Sequence, residues 1–340
     1  MKAALIGLPF SGKSTVFQVL TGVEPGKKEE TMGTIKVPDE RIDRLSEMYS
    51  PKKTTFAEFV LSDFSVPSGK DTVIPAAVKN GVQKSDLLIL VLRNMDSVMT
   101  SEPTDAVSEY TQLIDELIVT DLITIERRIE RNRKERNKLP ELPVLEKLQT
   151  ILESGELPLK DDLNDDDLGH IASYNFLSLK QRIILLNQSE DAITPDESLL
   201  SALAVHNDAV FSLSATLELE MNELSDEDRE AFLADYGLKG SARNRFIQAA
   251  YSALGLISFL TAGEDEVRAW PIKRGLVALY AAGKIHSDIQ RGFIRAEIIS
   301  FEDFSALGSE SACRKAGKYR LEGKTYPVQD GDIINFRFNV

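Results

Sequence analysis

Gly7-Leu8-Pro9-Phe10-Ser11-Gly12-Lys13-Ser14 fits the spacing G-x-x-x-x-G-K-[ST]. Glycines at these places let the backbone curl until successive N–H groups point at phosphate oxygens. A helix starting at Lys13 would present its positive N-terminus to the same anion. Phosphate contacts are expected from Gly7 and from Pro9, Phe10, Ser11, Gly12, Lys13, Ser14 and Thr15. The Lys13 ammonium is expected on the β- and γ-phosphates and the Ser14 hydroxyl on Mg²⁺. The ligand this predicts is a nucleoside triphosphate.

Two further groups fall in the order such a site needs. Asp63, read as lying just past a strand over Phe56 to Leu61, is the natural second metal-side carboxylate. Asn187-Gln188-Ser189-Glu190 follows another strand, at the place where guanine-reading proteins carry N-K-x-D. Asn187, Gln188 and Glu190 are the candidate base contacts. Ser214-Ala215 follows the next strand, where a backbone N–H could meet the base.

These residues need a sheet to place them. Lys2 to Ile6, Asp86 to Leu92, Arg182 to Leu186 and Ala209 to Leu213 read as buried strands, with helices over Lys13 to Leu20 and Ile74 to Gln83. Alternation of this kind predicts an α/β fold with a mainly parallel sheet. One region breaks the rhythm. Ile118, Leu122, Ile125 and Ile129 form a heptad-like seam, Pro140 and Pro143 turn the chain, and Leu145, Leu148 and Leu152 resume a stripe. That pattern predicts an inserted coiled-coil hairpin of two antiparallel helices. Its charges (Glu126, Arg127, Arg128, Glu130, Arg131, Arg133, Lys134, Glu135, Arg136) read as a solvated face or a partner-binding prong. Asp161, Asp162, Asp165, Asp166 and Asp167 lack the spacing of a calcium loop and read as an exposed turn and helix start. Beyond Arg268, short strands over Arg295 to Ile299 and Ile333 to Phe338, with a turn at Gln329-Asp330-Gly331-Asp332, predict a small α+β domain.

The bulk numbers exclude other classes. With 340 residues, two or three domains are expected. The longest aliphatic run, Leu87 to Leu92, is far short of the roughly 20 residues that cross a bilayer. One cysteine, Cys313, rules out an internal disulfide and fits a reducing cytoplasm, and only three histidines argue against a structural zinc site. The net charge of -14 repels nucleic acid at long range, yet Glu264 to Val340 carries 12 Lys and Arg against 11 Asp and Glu. Trp270 reads as a packing residue, His170 and His206 as surface residues, and Cys313 as an ordinary helix residue.

With those residues in view, the chain resembles the Obg-like ATPases, or YchF family, of the translation-factor-related P-loop GTPases. The resemblance rests on Val37 to Leu45, Asp121 to Ile129, Asn187 to Glu190, Asp265 to Trp270, Ala281 to Asp288, Ala316 to Arg320 and Asp330 to Ile334. It implies a G domain over 1–97 and 174–262, a helical coiled-coil insertion over 98–173, and a C-terminal TGS domain of β-grasp type over 263–340. It also implies ATP preferred over GTP through an N-x-x-E element, Mg²⁺ as the companion ion, slow hydrolysis, and a ribosome or RNA partner met through the TGS domain and the hairpin.

The chain departs from that pattern where hydrolysis is concerned. Phe10-Ser11 stands where the family has Asn-Val, and the second switch reads Asp63-Phe64-Ser65-Val66 instead of Asp-x-Ala-Gly. Thr31 and Thr34 are the candidates for the switch threonine. The stretch Arg93 to Glu109 holds no histidine, so no residue is assigned to water positioning. The readings this leaves are a slow ATPase, a non-hydrolysing module stabilised by nucleotide, and an RNA-binding protein.

Overall fold

The structure is a computed structural model that describes residues 1–26, 29–64, 74–95, 105–135, 139–159, 161–190, 196–206, 208–235 and 241–339. Ser65 and Val66 of the second switch, 96–104 of the stretch after the third buried strand, and Arg136 of the hairpin lie outside the described residues. In chain order the elements are β1 (Lys2–Ile6), α1 (Lys13–Thr21), β2 (Glu30–Lys36), α2 (Glu40–Tyr49), β3 (Lys53–Thr55), β4 (Glu58–Phe64), α3 (Ala76–Gln83), β5 (Leu87–Asn94), α4 (Ala106–Glu135), α5 (Glu141–Glu153), α6 (Asp165–Ile171), β6 (Gln181–Gln188), α7 (Glu197–Leu203), β7 (Ala209–Leu213), α8 (Ala215–Glu223), α9 (Asp226–Asp235) and α10 (Ala242–Ala253). There follow β8 (Leu256–Thr261), β9 (Glu266–Lys273), α11 (Ala278–Ile285), α12 (Ser287–Arg291), β10 (Phe293–Ser300), α13 (Phe301–Leu307), α14 (Glu310–Lys315), β11 (Arg320–Glu322) and β12 (Asp332–Phe338). They pack as two units, Met1–Thr34 with Val60–Phe246, and Ile35–Phe59 with Ile247–Val340. Segments 35–59 and 247–262, placed with the G domain by sequence, therefore pack in the second unit.

The first sheet runs in the order β2-β4-β1-β5-β6-β7. β1 pairs in parallel with β4 and β5, and β5–β6 and β6–β7 are parallel too. A parallel sheet is covered on both faces, so its strands read as unbroken apolar runs. Leu87 to Leu92 obeys this, with every residue at 0% exposure. In such a sheet ligands bind outside the carboxyl ends of the strands, and the candidate residues stand there: in the loop after β1, at the last residues of β4 (Asp63) and of β6 (Asn187 and Gln188, which sequence placed after the strand), and just after β6 and β7.

The helical insertion is built on α4, one helix of 30 residues and so about 45 Å long. Ile118, Ile125 and Ile129 are buried, with Leu122 partly so, and Leu145, Leu148 and Leu152 of α5 join the same core. Arg128 forks onto Glu141 at 2.9 and 2.6 Å, and the Tyr174 hydroxyl donates to the same carboxylate at 2.8 Å. The middle of α4 is pinned by Asp121, fully buried, which accepts from the Ser178 N–H and hydroxyl, both at 2.7 Å. Asp165, Asp166 and Asp167 form the first turn of α6, capped reciprocally by Asn164 and Asp167. Among the described residues no acidic group clusters as a metal site, and no helix is long and apolar enough to cross a membrane.

The second unit is α+β. Its sheet runs β11-β10-β12-β8-β9-β3, with antiparallel pairs except for β12–β8 and β3–β9. Trp270 is a packing residue here. Its ring stacks on Phe259, the Arg268 guanidinium lies 3.9 Å from its centre, and its Nε1 donates to Thr261 Oγ1 at 3.0 Å. Cys313 is fully buried in α14. Two of the family-like segments converge in this unit. Arg41 holds Asp39 through two 2.8 Å bonds and reaches Asp330 at 3.1 Å, while Asp330 accepts the Ser258 N–H at 2.8 Å. Gly331 turns there at φ 83°, and a Cβ on it would stand 2.8 Å from Arg41 Nη1. His170 and His206, expected on the surface, are both partly exposed, His170 with 35% of its side chain accessible. His170 faces Asp166 at 3.5 Å, and His206 packs against the Tyr110 ring.

Candidate functional site

The glycine loop leaves β1 at Gly7 and feeds α1 at Lys13. A Cβ on Gly7 would stand 2.6 Å from Ser11 Oγ and 2.7 Å from the Val91 carbonyl, so only glycine fits. Gly12 turns at φ 78°, and a Cβ there would stand 2.1 Å from Asn187 Nδ2. Phe10 also adopts a left-handed φ of 68°, a conformation that costs a bulky L-residue about 1–2 kcal/mol. It is 56% exposed, beside the exposed Pro9. The Ser11 N–H donates to the Leu8 carbonyl at 3.1 Å, which closes the curl. No side chain caps α1, so the N–H groups of its first turn, which includes Thr15, are available to an anion.

Lys13 and Ser14 both reach the end of β4. The Lys13 ammonium is ion-paired with the Asp63 carboxylate and donates to the Phe64 carbonyl at 2.7 Å. The Ser14 hydroxyl donates to the other Asp63 oxygen at 3.3 Å. The strand read over Phe56 to Leu61 is in fact Glu58–Phe64, so Asp63 lies inside it, opposite Leu5 of β1. A carboxylate buried to 3% exposure is tolerated there because the ammonium neutralises it. Neighbouring ligands of an octahedral Mg²⁺ stand about 3 Å apart, so Ser14 Oγ and the Asp63 oxygen fit adjacent positions.

Asn187 ties this loop to the far strands. Its Nδ2 donates to the Ser11 carbonyl at 3.1 Å, and its Oδ1 accepts the Ala215 N–H at 3.0 Å. The Ala215 N–H, expected to face a base, is thus engaged by Asn187. Ser214 is buried and caps α8, its hydroxyl accepting from Leu217 N–H at 3.4 Å. Gln188 is buried on Asn94, whose Nδ2 donates to its Oε1 at 3.0 Å. Glu190 is exposed in the turn after β6. Phosphate loop, Asp63, Asn187 and Ala215 are therefore gathered by direct bonds. Thr31 and Thr34 are not: both lie in β2, at the sheet edge, and the Thr31 hydroxyl accepts from the Gly26 N–H at 3.1 Å.

Sequence reasoning missed the far end of the phosphate helix. Arg243 donates from Nε to the Val19 carbonyl at 2.7 Å and from Nη2 to the Leu20 carbonyl at 3.3 Å, on the last turn of α1. A cation at a helix C-terminus meets the negative end of its dipole. Burial pushes the Arg243 guanidinium below its usual pKa, and the Glu218 carboxylate works against that shift. Glu218 also accepts from Ser241 Oγ at 2.9 Å and Arg243 N–H at 3.1 Å, which links α8 to this cap. No local pattern marks an arginine so far along the chain from its helix.

The family described as YchF-GTPase_C, a protein of unknown function, matches residues 256–339. Over its full length the chain is 36% identical to the ribosome-binding ATPase YchF of Haemophilus influenzae, across 360 residues and 99% of that protein. It is 34% identical to the protein of the same name from Bacillus subtilis, across 364 residues and 100% of that protein. Among solved structures, the Schizosaccharomyces pombe YchF GTPase superposes with a TM-score of 0.88 at 29% identity, over 99% of this chain and 97% of that one.

Proposed function

The chain belongs to the YchF family, and from that membership and the site's geometry we propose that it binds ATP with Mg²⁺, hydrolyses it slowly, and works on the ribosome in the cytoplasm. The observation that carries this reading is the bonded set of Ser11, Lys13, Ser14, Asp63 and Asn187 around one helix N-terminus. Backbone N–H groups of the loop and of the first turn of α1, Gly12 to Thr15 foremost, and the Lys13 ammonium hold the phosphates. Ser14 and Asp63 hold Mg²⁺, which supplies charge neutralisation at the transferred phosphate. Glu190 replaces the aspartate that accepts from guanine and favours the exocyclic amine of adenine. Gln188, Ser214 and Ala215 shape the base side. The relatives' name supports the ribosome as partner, met through the C-terminal unit and the helical insertion.

Slow turnover follows from the side chains available. No histidine stands between Arg93 and Glu109 to orient a water, and Val66 takes the place of a switch glycine. Those two substitutions favour, as a second reading, a protein that binds nucleotide without hydrolysing it. Steady-state phosphate release with and without ribosomes decides between them. The first reading expects turnover that Lys13→Ala abolishes, and a rate no different from that of Lys13→Ala would leave the second.

A further inference from the structure

β12 is paired along its whole length on one side only. There it runs antiparallel to β10, from Asp332 opposite Ser300 to Phe338 opposite Phe293. On the other side it meets β8 at a single register pair, Ile333 with Leu260. β8 ends one residue later, at Thr261, and the chain turns away through Ala262 toward β9. Among the described residues no strand pairs with the rest of that edge, Ile334 to Phe338, a length of about 16 Å at the rise of a strand. A cavity of about 360 Å³ lies along it. Ile334 and Phe336 enter its wall from the face that packs into the core, with Ile285 of α11 and Ile289 of α12 beside them. Asn335, which points to the opposite face, lines it as well, together with Glu310 of α14. Successive residues of one strand point to opposite faces, so a cavity that touches all three opens on the backbone edge. Phe338 lines it too and is 46% exposed. Glu310 is the one charged residue of the lining. The Tyr49 hydroxyl donates to its carboxylate at 3.3 Å, and among the described residues no cation pairs with it.

We propose that the open edge of β12 docks an extended, basic peptide segment of a partner protein, which adds to the sheet as one more strand. A row of unpaired backbone N–H and C=O groups is a template for a strand. In this mode main-chain hydrogen bonds give the affinity, and pockets for alternate side chains give the choice of sequence. Alternate side chains of the added strand fall on the two faces of the sheet. One set meets the apolar wall of Ile285, Ile289 and Phe338. The other set comes beside Asn335 and Glu310. The first set is therefore apolar. The second carries Lys or Arg, because charges complementary across an interface select the partner and a like charge is penalised. The same carboxylate disfavours an RNA backbone at this edge, since phosphate would face it unpaired.

No nucleotide enters the test, which uses the full chain. The probes are capped peptides of alternating lysine and valine, the same peptides N-methylated at every residue, and peptides of alternating glutamate and valine. N-methylation keeps the side chains and removes the backbone donors. Fluorescence anisotropy gives the affinities, and hydrogen exchange read by mass spectrometry gives the place of binding. The lysine–valine peptide is expected to bind and to slow exchange over Ile334 to Phe338, and its N-methylated form to do neither. Glu310→Lys, on the surface, is expected to weaken the lysine–valine peptide by about fivefold at low salt, the worth of one exposed ion pair, and to strengthen the glutamate–valine peptide. Phe338→Ala should weaken both. Equal binding of the N-methylated peptide overturns the proposal, since backbone pairing would then play no part. So does an unchanged preference between the two peptides in Glu310→Lys, or the absence of slowed exchange over Ile334 to Phe338 at millimolar peptide. Slowed exchange there that rises with protein concentration alone, beside a dimer in sedimentation, would assign the edge to a second copy of this chain and overturn the peptide as its occupant.

Discussion

The Asn187 amide and the Ser11 carbonyl, 3.1 Å apart, join the end of β6 to the phosphate loop. The same side chain accepts the Ala215 N–H, so one residue locks three segments that are distant in sequence. Asn187→Ala leaves a buried carbonyl and a buried N–H without partners, at about 1–3 kcal/mol each. The expected result is a lowered melting temperature and MgATP binding weakened more than tenfold. Differential scanning fluorimetry with and without MgATP measures both.

Gly12 and Gly22 flank α1 with nearly the same left-handed φ, 78° and 72°, but differ in surroundings. A methyl on Gly12 would meet Asn187 Nδ2, whereas one on Gly22 meets nothing within 4 Å. Gly22→Ala should cost about 1 kcal/mol of stability and leave nucleotide affinity alone. Gly12→Ala should disrupt the loop and abolish binding. Nucleotide titration and thermal melts on the two variants, side by side, check this contrast.

How far these particulars can be read in the sequence varies. The phosphate loop, the strand before it and the Leu87 to Leu92 strand are local patterns, a glycine spacing and an apolar run, and the structure holds all three. The strand bearing Asp63 extends further than its pattern suggests because Lys13, 50 positions away, makes a buried carboxylate tolerable. β2 and β3 are not legible in the sequence: β2 alternates at a sheet edge with exposed Met32 and Thr34, and β3 has only three residues. The Arg243 cap, the Asn94–Gln188 bond and the Arg41–Asp330 pair join residues that no window spans, so only the folded chain reveals them.

Arg182 and Asp208 form a buried pair at 3.0 Å, with the Tyr110 hydroxyl donating to Asp208 at 3.1 Å. Removing one partner strands a charge in the core. Arg182→Met should destabilise the protein by about 3–5 kcal/mol. Adding Asp208→Asn should recover part of that loss. Urea denaturation of the single and double variants measures the difference.

Asp121 supplies a pH dependence. Burial raises its pKa above the usual carboxylate value, although the Ser178 hydrogen bonds work in the other direction. A carboxyl whose folded pKa exceeds its unfolded one contributes stability that is complete below the unfolded pKa of about 3.9 and is lost as pH rises through the folded value. Asp121→Asn removes that titration. The stability of the variant relative to the parent should therefore grow as pH rises above the unfolded value. Urea denaturation between pH 4 and pH 8 reads this as two curves that diverge upward in pH; parallel curves would contradict it.

The most direct measurement is the affinity of the full chain for MgATP, by isothermal titration calorimetry, beside Lys13→Ala. Lys13 contributes one charge-assisted contact to the phosphates, worth about 1.5–3 kcal/mol. The account predicts saturable 1:1 binding to the parent and a loss of roughly tenfold to a hundredfold in the variant. Absence of any binding heat for the parent at several temperatures, or equal affinity in the two proteins, would contradict it.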